Sequence, residues 1–230
     1  MEFLRNFSTI DLFGITQDPE TLNYMIVMFY MKLGSLRSNL KIKKYNPNDK
    51  YHNLYSIAES LSALHKCNLV HGDFHSGNLL LDDHKYVYIS DFGLSKPADK
   101  STESKEIYGV LPYIAPEVLR GKPYTKAADI YSFGIIMWEM TSGIPAFDNT
   151  LHDFSLSLEI CRGLRPNVIE GTENRYAKLM ERCWDSNPDK RPAAEELSKY
   201  FNKWKTNIPY CKYKGCLYQI KISNLLKTIL

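Results

Sequence analysis

Apolar residues recur along this chain in two rhythms. Near the start, residues 10–16 and 24–29 are short runs rich in Ile, Leu, Val and Phe, divided by Gln17-Asp18-Pro19-Glu20-Thr21. That pattern predicts two strands joined by a proline-containing turn. Gly34 then breaks the regularity ahead of a polar segment. Asn46-Pro47-Asn48-Asp49 carries helix-start signals, and Leu54, Ile57, Ala58, Leu61 and Leu64 follow at three- and four-residue spacing. The stripe predicts a helix packed on a core, with His65 and Lys66 suited to its negative C-terminal end. Residues 68–70 and 79–81 are short apolar runs of the kind that become buried strands. Asp82-Asp83-His84-Lys85 predicts a hairpin turn, and residues 86–89 its return strand. Helical spacing resumes over 126–141, 156–161, 174–184 and 193–203.

Between and after the two central strands the polar residues concentrate. His71-Gly72-Asp73-Phe74-His75-Ser76-Gly77-Asn78 precedes the first strand, and Asp91-Phe92-Gly93 follows the second. Two carboxylates and an amide thus sit on one loop–hairpin–loop unit. Phosphoryl transfer with magnesium needs such a set: a carboxylate to orient the attacking hydroxyl, and an Asp and an Asn to hold metal ions.

On these residues the chain resembles the protein kinase family. His71-x-Asp73-x-x-x-x-Asn78 is similar to the family's catalytic loop, Asp91-Phe92-Gly93 to its metal-binding triplet, and Ala115-Pro116-Glu117 to the motif that closes its activation segment. A lone Asp-Phe-Gly reads equally as a turn, but all three motifs occur in the family's order and spacing. His-Gly-Asp with a second histidine also resembles the aminoglycoside phosphotransferases; the Ala-Pro-Glu triplet and the helices beyond it favour the protein kinases. The resemblance implies that Asp73 positions the acceptor hydroxyl and that Asn78 and Asp91 bind Mg²⁺. His75 stands where the family has a Lys or Arg that helps neutralise the transferred phosphate, and so is a second catalytic candidate. It also implies adenine contacts from Met31 and from Leu80 beneath the ring, with Met28 at the gatekeeper position. Structural roles fall to His71 and Phe92, stacked with Leu12 as a third member, and to Gly93. Asp129 is expected to accept backbone N–H bonds from the catalytic loop, and Arg191 to pair with Glu117.

Several positions depart from the family. Gly72 replaces the usual arginine, which argues against tight phosphate gating of the activation segment, Val110 replaces a usual threonine, and Phe29 replaces a usual Glu or Gln. No Gly-x-Gly-x-x-Gly occurs in the chain, and Lys32, its first lysine, lies after the second strand. The phosphate clamp of the family, a glycine loop with a strand Lys held by a helix Glu, is therefore not found here. The expected fold class is α+β, a protein-kinase-like fold with a complete, mostly α-helical large lobe and a small lobe reduced to about two strands. The expected division is 1–30 small-lobe remnant, 31–36 hinge, 37–204 large lobe and 205–230 a basic tail outside the domain.

Composition changes this picture little. Apolar residues make up 44% and charged residues 24% of 230 positions, an ordinary globular balance, and the net charge of +3 is too small to argue for nucleic acid. The N-terminus does not read as a signal peptide, and the longest apolar run, 24–31, is too short to span a bilayer. Five scattered cysteines fit no metal pattern, and reduced thiols in a cytoplasmic protein, or a nuclear one, are the simplest reading. Ser101, Thr102, Ser104 and Tyr108 are candidate phosphorylation sites, equally readable as solvated loop residues. The tail from Lys203 on carries six lysines and no acid, which reads as an unfolded extension or as a surface for an anionic membrane or partner.

Two functions follow as expectations. One is a protein kinase using ATP and Mg²⁺ to phosphorylate protein Ser or Thr, less readily Tyr, with weak or no activity in this form. The other is a kinase-fold interaction module whose exposed hairpin recruits a protein partner or a second copy.

Overall fold

The structure is a computed structural model that describes residues 10–41, 47–98 and 108–205. Strand β1 (Leu12–Gln17) and strand β2 (Tyr24–Met28) form an antiparallel hairpin with Gln17 opposite Tyr24 and Ile15 opposite Ile26. Both lie within a residue or two of the expected spans. Asp18 shapes the turn by accepting from the N–H groups of Glu20 (2.8 Å) and Thr21 (3.2 Å). Among the described residues the two strands pair only with each other, and every residue of β2 is exposed. Leu12, expected in the stack with His71 and Phe92, is 62% exposed on this hairpin. The apolar pattern built the strands, but a two-stranded ribbon has no third layer to bury either face.

Strand β3 (Gly34–Ser35), strand β5 (Leu79–Leu81) and strand β6 (Val87–Ile89) make a second sheet in the order β3-β5-β6. Its Leu79, Leu81, Val87 and Ile89 point into the core, and Leu80 alternates to the half-buried face. Strand β4 (Leu69–Val70) pairs with β7 (Lys96–Pro97), which ties the segment after Asp91-Phe92-Gly93 back beside the catalytic loop.

Helix α1 (Leu36–Asn39) is a single turn, while α2 (Pro47–Lys66) is the expected long helix, with Leu54, Ile57, Ala58 and Leu61 fully buried. It packs against α7 (Ala194–Trp204), where Tyr51 meets the Trp204 ring edge-on at 5.7 Å and the Ser198 hydroxyl donates to Glu59 Oε1. A short α3 (Pro116–Leu119) continues the Ala-Pro-Glu motif. Helix α4 (Lys126–Ser142) runs through the centre: every residue from 128 to 140 is buried, so it is wrapped on all sides. Gly134 permits this, because a Cβ there would stand 2.9 Å from Cys183 Cβ of α6 (Asn174–Cys183). Gly143, at φ 75°, ends α4 in the left-handed conformation, its N–H closing on Glu139 O. Helix α5 (Phe154–Arg162) starts at Asp153, whose side chain accepts from the N–H groups of Ser155 and Leu156. Seven α-helices and three small sheets therefore make a mixed α+β fold among the described residues. No helix among them is long and apolar enough to cross a membrane. The thiols of Cys67, Cys161 and Cys183 are free. The candidate sites Ser101, Thr102 and Ser104 and most of the basic tail lie outside the described residues; Tyr108 lies within them and is exposed.

Candidate active site

The loop before β5 is hung from helix α4. Asp129, fully buried in its first turn, accepts from the backbone N–H of His71 (2.9 Å) and of Gly72 (3.2 Å), and His65 Nε2 lies 2.9 Å from its Oδ2. A buried carboxylate is tolerable when N–H groups converge on it. The sequence placed Asp129 in this role on resemblance, but His65, 64 residues away, read only as a helix-end cation.

His71 is buried and aims Nε2 at Ser90 O, 3.1 Å away, while Nδ1 accepts a long bond (3.4 Å) from Asp73 N–H. Burial lowers its pKa, outweighing Asp129, the Ser90 carbonyl, Asp73 and Asp91, so the ring stays neutral. It lies 5.3 Å from the Phe92 ring and 5.5 Å from that of Phe74. Gly72 has φ +81°, and a Cβ there would meet Leu94 O at 2.7 Å. The residue that departs from the family is thus the one this packing requires. Ser95 reinforces it by donating from Oγ to His71 O at 3.2 Å.

Asp73 and Asn78 are joined directly. Asn78 Nδ2 donates to Asp73 O (2.9 Å) and to Asp73 Oδ2 (3.2 Å). The 3₁₀ turn Ser76–Asn78 carries Asn78, and His75 caps it by accepting the Gly77 N–H at Nδ1, 2.9 Å away. His75 Nε2 comes within 3.4 Å of Asp73 Oδ2. The neighbouring His75 holds the Asp73 carboxyl below its usual range against partial burial, helped by Asn78. Asn78 O in turn accepts from both the N–H and the hydroxyl of Ser90, each at 2.9 Å. Those bonds tie Ser90, the residue after β6, to the loop, and Asp91 follows it directly. Asp91 takes φ 58°, steadied by the Gly93 N–H bonded to its Oδ1 at 3.2 Å. Strained backbone of this kind concentrates at functional sites.

A second network escaped the sequence. The Ser76 and Tyr113 hydroxyls lie 2.8 Å apart, and Tyr113 donates to Glu139 Oε1 at 2.6 Å. Ala146 N–H reaches the same oxygen at 2.9 Å, which leaves Glu139 Oε2 buried without a partner among the described residues. Burial raises the Glu139 pKa and pushes that of Tyr113 well above its usual range. Glu139 sits in a helix buried on all sides, and no periodicity marks such a residue.

The remaining candidates lie outside this cluster. Met31 is buried, its carbonyl accepting Gly34 N–H at 3.0 Å, and Leu33 N–H bonds Leu81 O at 3.3 Å, so the 31–35 segment runs beside Leu80. Met28 is 45% exposed at the end of β2. Arg191 and Glu117 lie apart from this cluster as a buried pair.

Comparison with known proteins follows the same residues. A family model described as protein tyrosine and serine/threonine kinase matches residues 1–201. A serine/threonine/tyrosine-protein kinase of Arabidopsis thaliana is 32% identical over 184 residues, covering 79% of this chain and 47% of that protein. Another Arabidopsis serine/threonine-protein kinase is 30% identical over 209 residues (88% and 36%). A Dictyostelium discoideum protein named as a probable serine/threonine-protein kinase is 35% identical over 184 residues (79% and 20%). This chain thus spans less than half the length of each of these relatives. With the family model matching residues 1–201, the chain belongs to the protein tyrosine and serine/threonine kinase family.

Proposed function

We propose that this chain carries the acceptor-positioning and metal-holding half of a protein kinase, acting on protein Ser or Thr hydroxyls with ATP and Mg²⁺. The observation that carries the reading is the Asn78 bridge, with its amide on Asp73 and its carbonyl on Ser90, next to Asp91. Asp73, held below the usual carboxylate range, stays ionised and can orient a hydroxyl and accept its proton. The donor chemistry fits magnesium. Asn78 spends its Nδ2 on Asp73, which leaves its amide oxygen as the group for a cation, and Asp91 offers an exposed carboxylate. One or two such oxygens, completed by phosphate and water, are what Mg²⁺ takes. Bound there, magnesium would neutralise charge on the transferred phosphate. Met31 and Leu80 flank the strip where adenine would lie.

The chain's own residues include no glycine loop and no lysine before Lys32, so we further propose slow transfer by this form. The exposed hairpin supports a second reading, a kinase-fold interaction module. Calorimetry with Mg·ATP separates the two. Binding that weakens at least about tenfold in Asp91→Asn, the loss of one charge-assisted contact, supports the kinase reading. No binding, or binding indifferent to Asp91, supports the module.

A further inference from the structure

His75 was expected to face the transferred phosphate, as a cation would in its place. The geometry points it elsewhere. Its Nδ1 accepts the Gly77 N–H at 2.9 Å, and a nitrogen that accepts a hydrogen bond carries no proton. The ring proton of the neutral imidazole therefore sits on Nε2, the atom 3.4 Å from Asp73 Oδ2. Asn78 Nδ2 donates to that same oxygen at 3.2 Å. The Asn78 N–H and the Nε2 atom of His75 thus both lie beside Oδ2.

The other carboxylate oxygen faces a different surface. Gly109 lies beside it, and a Cβ built there would stand 3.3 Å from Asp73 Oδ1. With φ +117° and no side chain, Gly109 puts no Cβ against Oδ1.

Gly77 decides whether His75 can take this position. A Cβ on Gly77 would meet both Nδ1 and Cε1 of the imidazole at 2.7 Å, closer than real Cβ atoms come. The ring can lie over the 3₁₀ turn only because residue 77 has no side chain. Any other residue there pushes the ring away, and with it the N–H aimed at Asp73.

We propose that His75 and Gly77 form a lock that fixes the Asp73 carboxylate, with Oδ2 held and Oδ1 left to receive the acceptor hydroxyl. His75 is then a positioning residue acting through Asp73, not a group that neutralises phosphate. The mechanistic half of the proposal rests on the kinase reading; the lock itself rests on the geometry alone.

The test uses the full 230-residue chain labelled with ¹⁵N at histidine. Long-range ¹⁵N–¹H spectra report which ring nitrogen bears the proton, and His75→Phe identifies the His75 signals by their loss. His75 is expected as the Nε2–H tautomer, and Gly77→Ala is expected to abolish that signature. In transfer assays Gly77→Ala and His75→Phe should each lower kcat about 10- to 100-fold, the scale of a misplaced catalytic group, with KM for ATP within about twofold. The Phe variant keeps a ring in place, so it reads the nitrogen chemistry even if Gly77→Ala folds poorly. An Nδ1–H tautomer in the wild type, a His75 spectrum unmoved by Gly77→Ala, or wild-type kcat in His75→Phe overturns the lock. If no variant turns over, the kinase reading fails while the spectra still decide the lock.

Discussion

Arg191 and Glu117 meet as a two-pronged ion pair across 74 residues of sequence, Nη1 to Oε1 and Nη2 to Oε2, both at 2.7 Å. The guanidinium is wholly buried, and it also donates through Nε to Asp185 O (2.8 Å) and through Nη1 to Ala127 O (2.9 Å). Its plane lies 5.4 Å from the Tyr131 ring. The end of the activation segment is thereby fastened to the start of α4 and to the turn before α7.

Removing one partner leaves the other buried and unpaired. Glu117→Ala is expected to cost about 3–5 kcal/mol in unfolding free energy, and Arg191→Lys a comparable amount, because an ammonium cannot reproduce the fork. Denaturant titration checks both. A loss below about 1 kcal/mol, the level of a surface pair, would contradict the role.

Gly72→Arg restores the residue most kinases carry, yet it should destabilise this one. The left-handed φ alone costs about 1–2 kcal/mol for a residue with a Cβ, and the contact with Leu94 O adds to it. Hydrogen exchange should quicken at residues 92–97 in the variant. Unchanged protection there, with unchanged stability, would show that the segment does not rest on Gly72.

Glu139 gives a pH dependence of definite sign. Burial raises its pKa in the folded state above the unfolded value near 4.5, so the folded chain holds the proton more tightly. Its stabilising contribution is complete below the unfolded value and is lost as pH rises through the folded one. Glu139→Gln, which keeps an oxygen for Tyr113 and Ala146, should therefore gain on the wild type as pH rises from 4.5. The gain is at most about 1.4 kcal/mol per pH unit. A difference in stability that stays flat with pH would refute it.

The β1–β2 hairpin exposes Ile15 (69%), Ile26 (61%) and Tyr24 (78%) with no covering layer among the described residues. We expect concentration-dependent self-association through this ribbon. Ile15→Lys with Ile26→Lys should abolish it in sedimentation while changing stability by no more than about 0.5 kcal/mol each. A wild-type chain that is monomeric at all concentrations, with slow exchange across residues 12–28, would mean that the hairpin is already covered.

The secondary structure was legible because α2 and α4–α7 carry strong local signals. The Leu54–Leu64 stripe, for one, depends only on neighbours. The site was legible differently: Asp73, Asn78 and Asp91 stood out by motif, while the hairpin that returns Ser90 to Asn78 O had to be seen in the fold. What stayed hidden were side chains whose partners are remote in sequence and of unrelated type. His65 beneath Asp129 and Glu139 beneath Tyr113 belong here, since neither periodicity nor capping constrains them. Leu12 failed in the opposite sense: the resemblance placed it in a stack with His71 and Phe92, and the ribbon leaves it exposed.

Transfer of the γ-phosphate from labelled ATP by purified 1–230 and its Asp73→Asn variant, with a protein acceptor rich in Ser and Thr, tests the central claim most directly. The expected result is a turnover well below about 1 s⁻¹, the low end for kinases, that falls at least about 100-fold further in the variant. A residual rate equal in both proteins would contradict the assignment of Asp73, and turnover at or above about 1 s⁻¹ would contradict the account of the missing phosphate clamp.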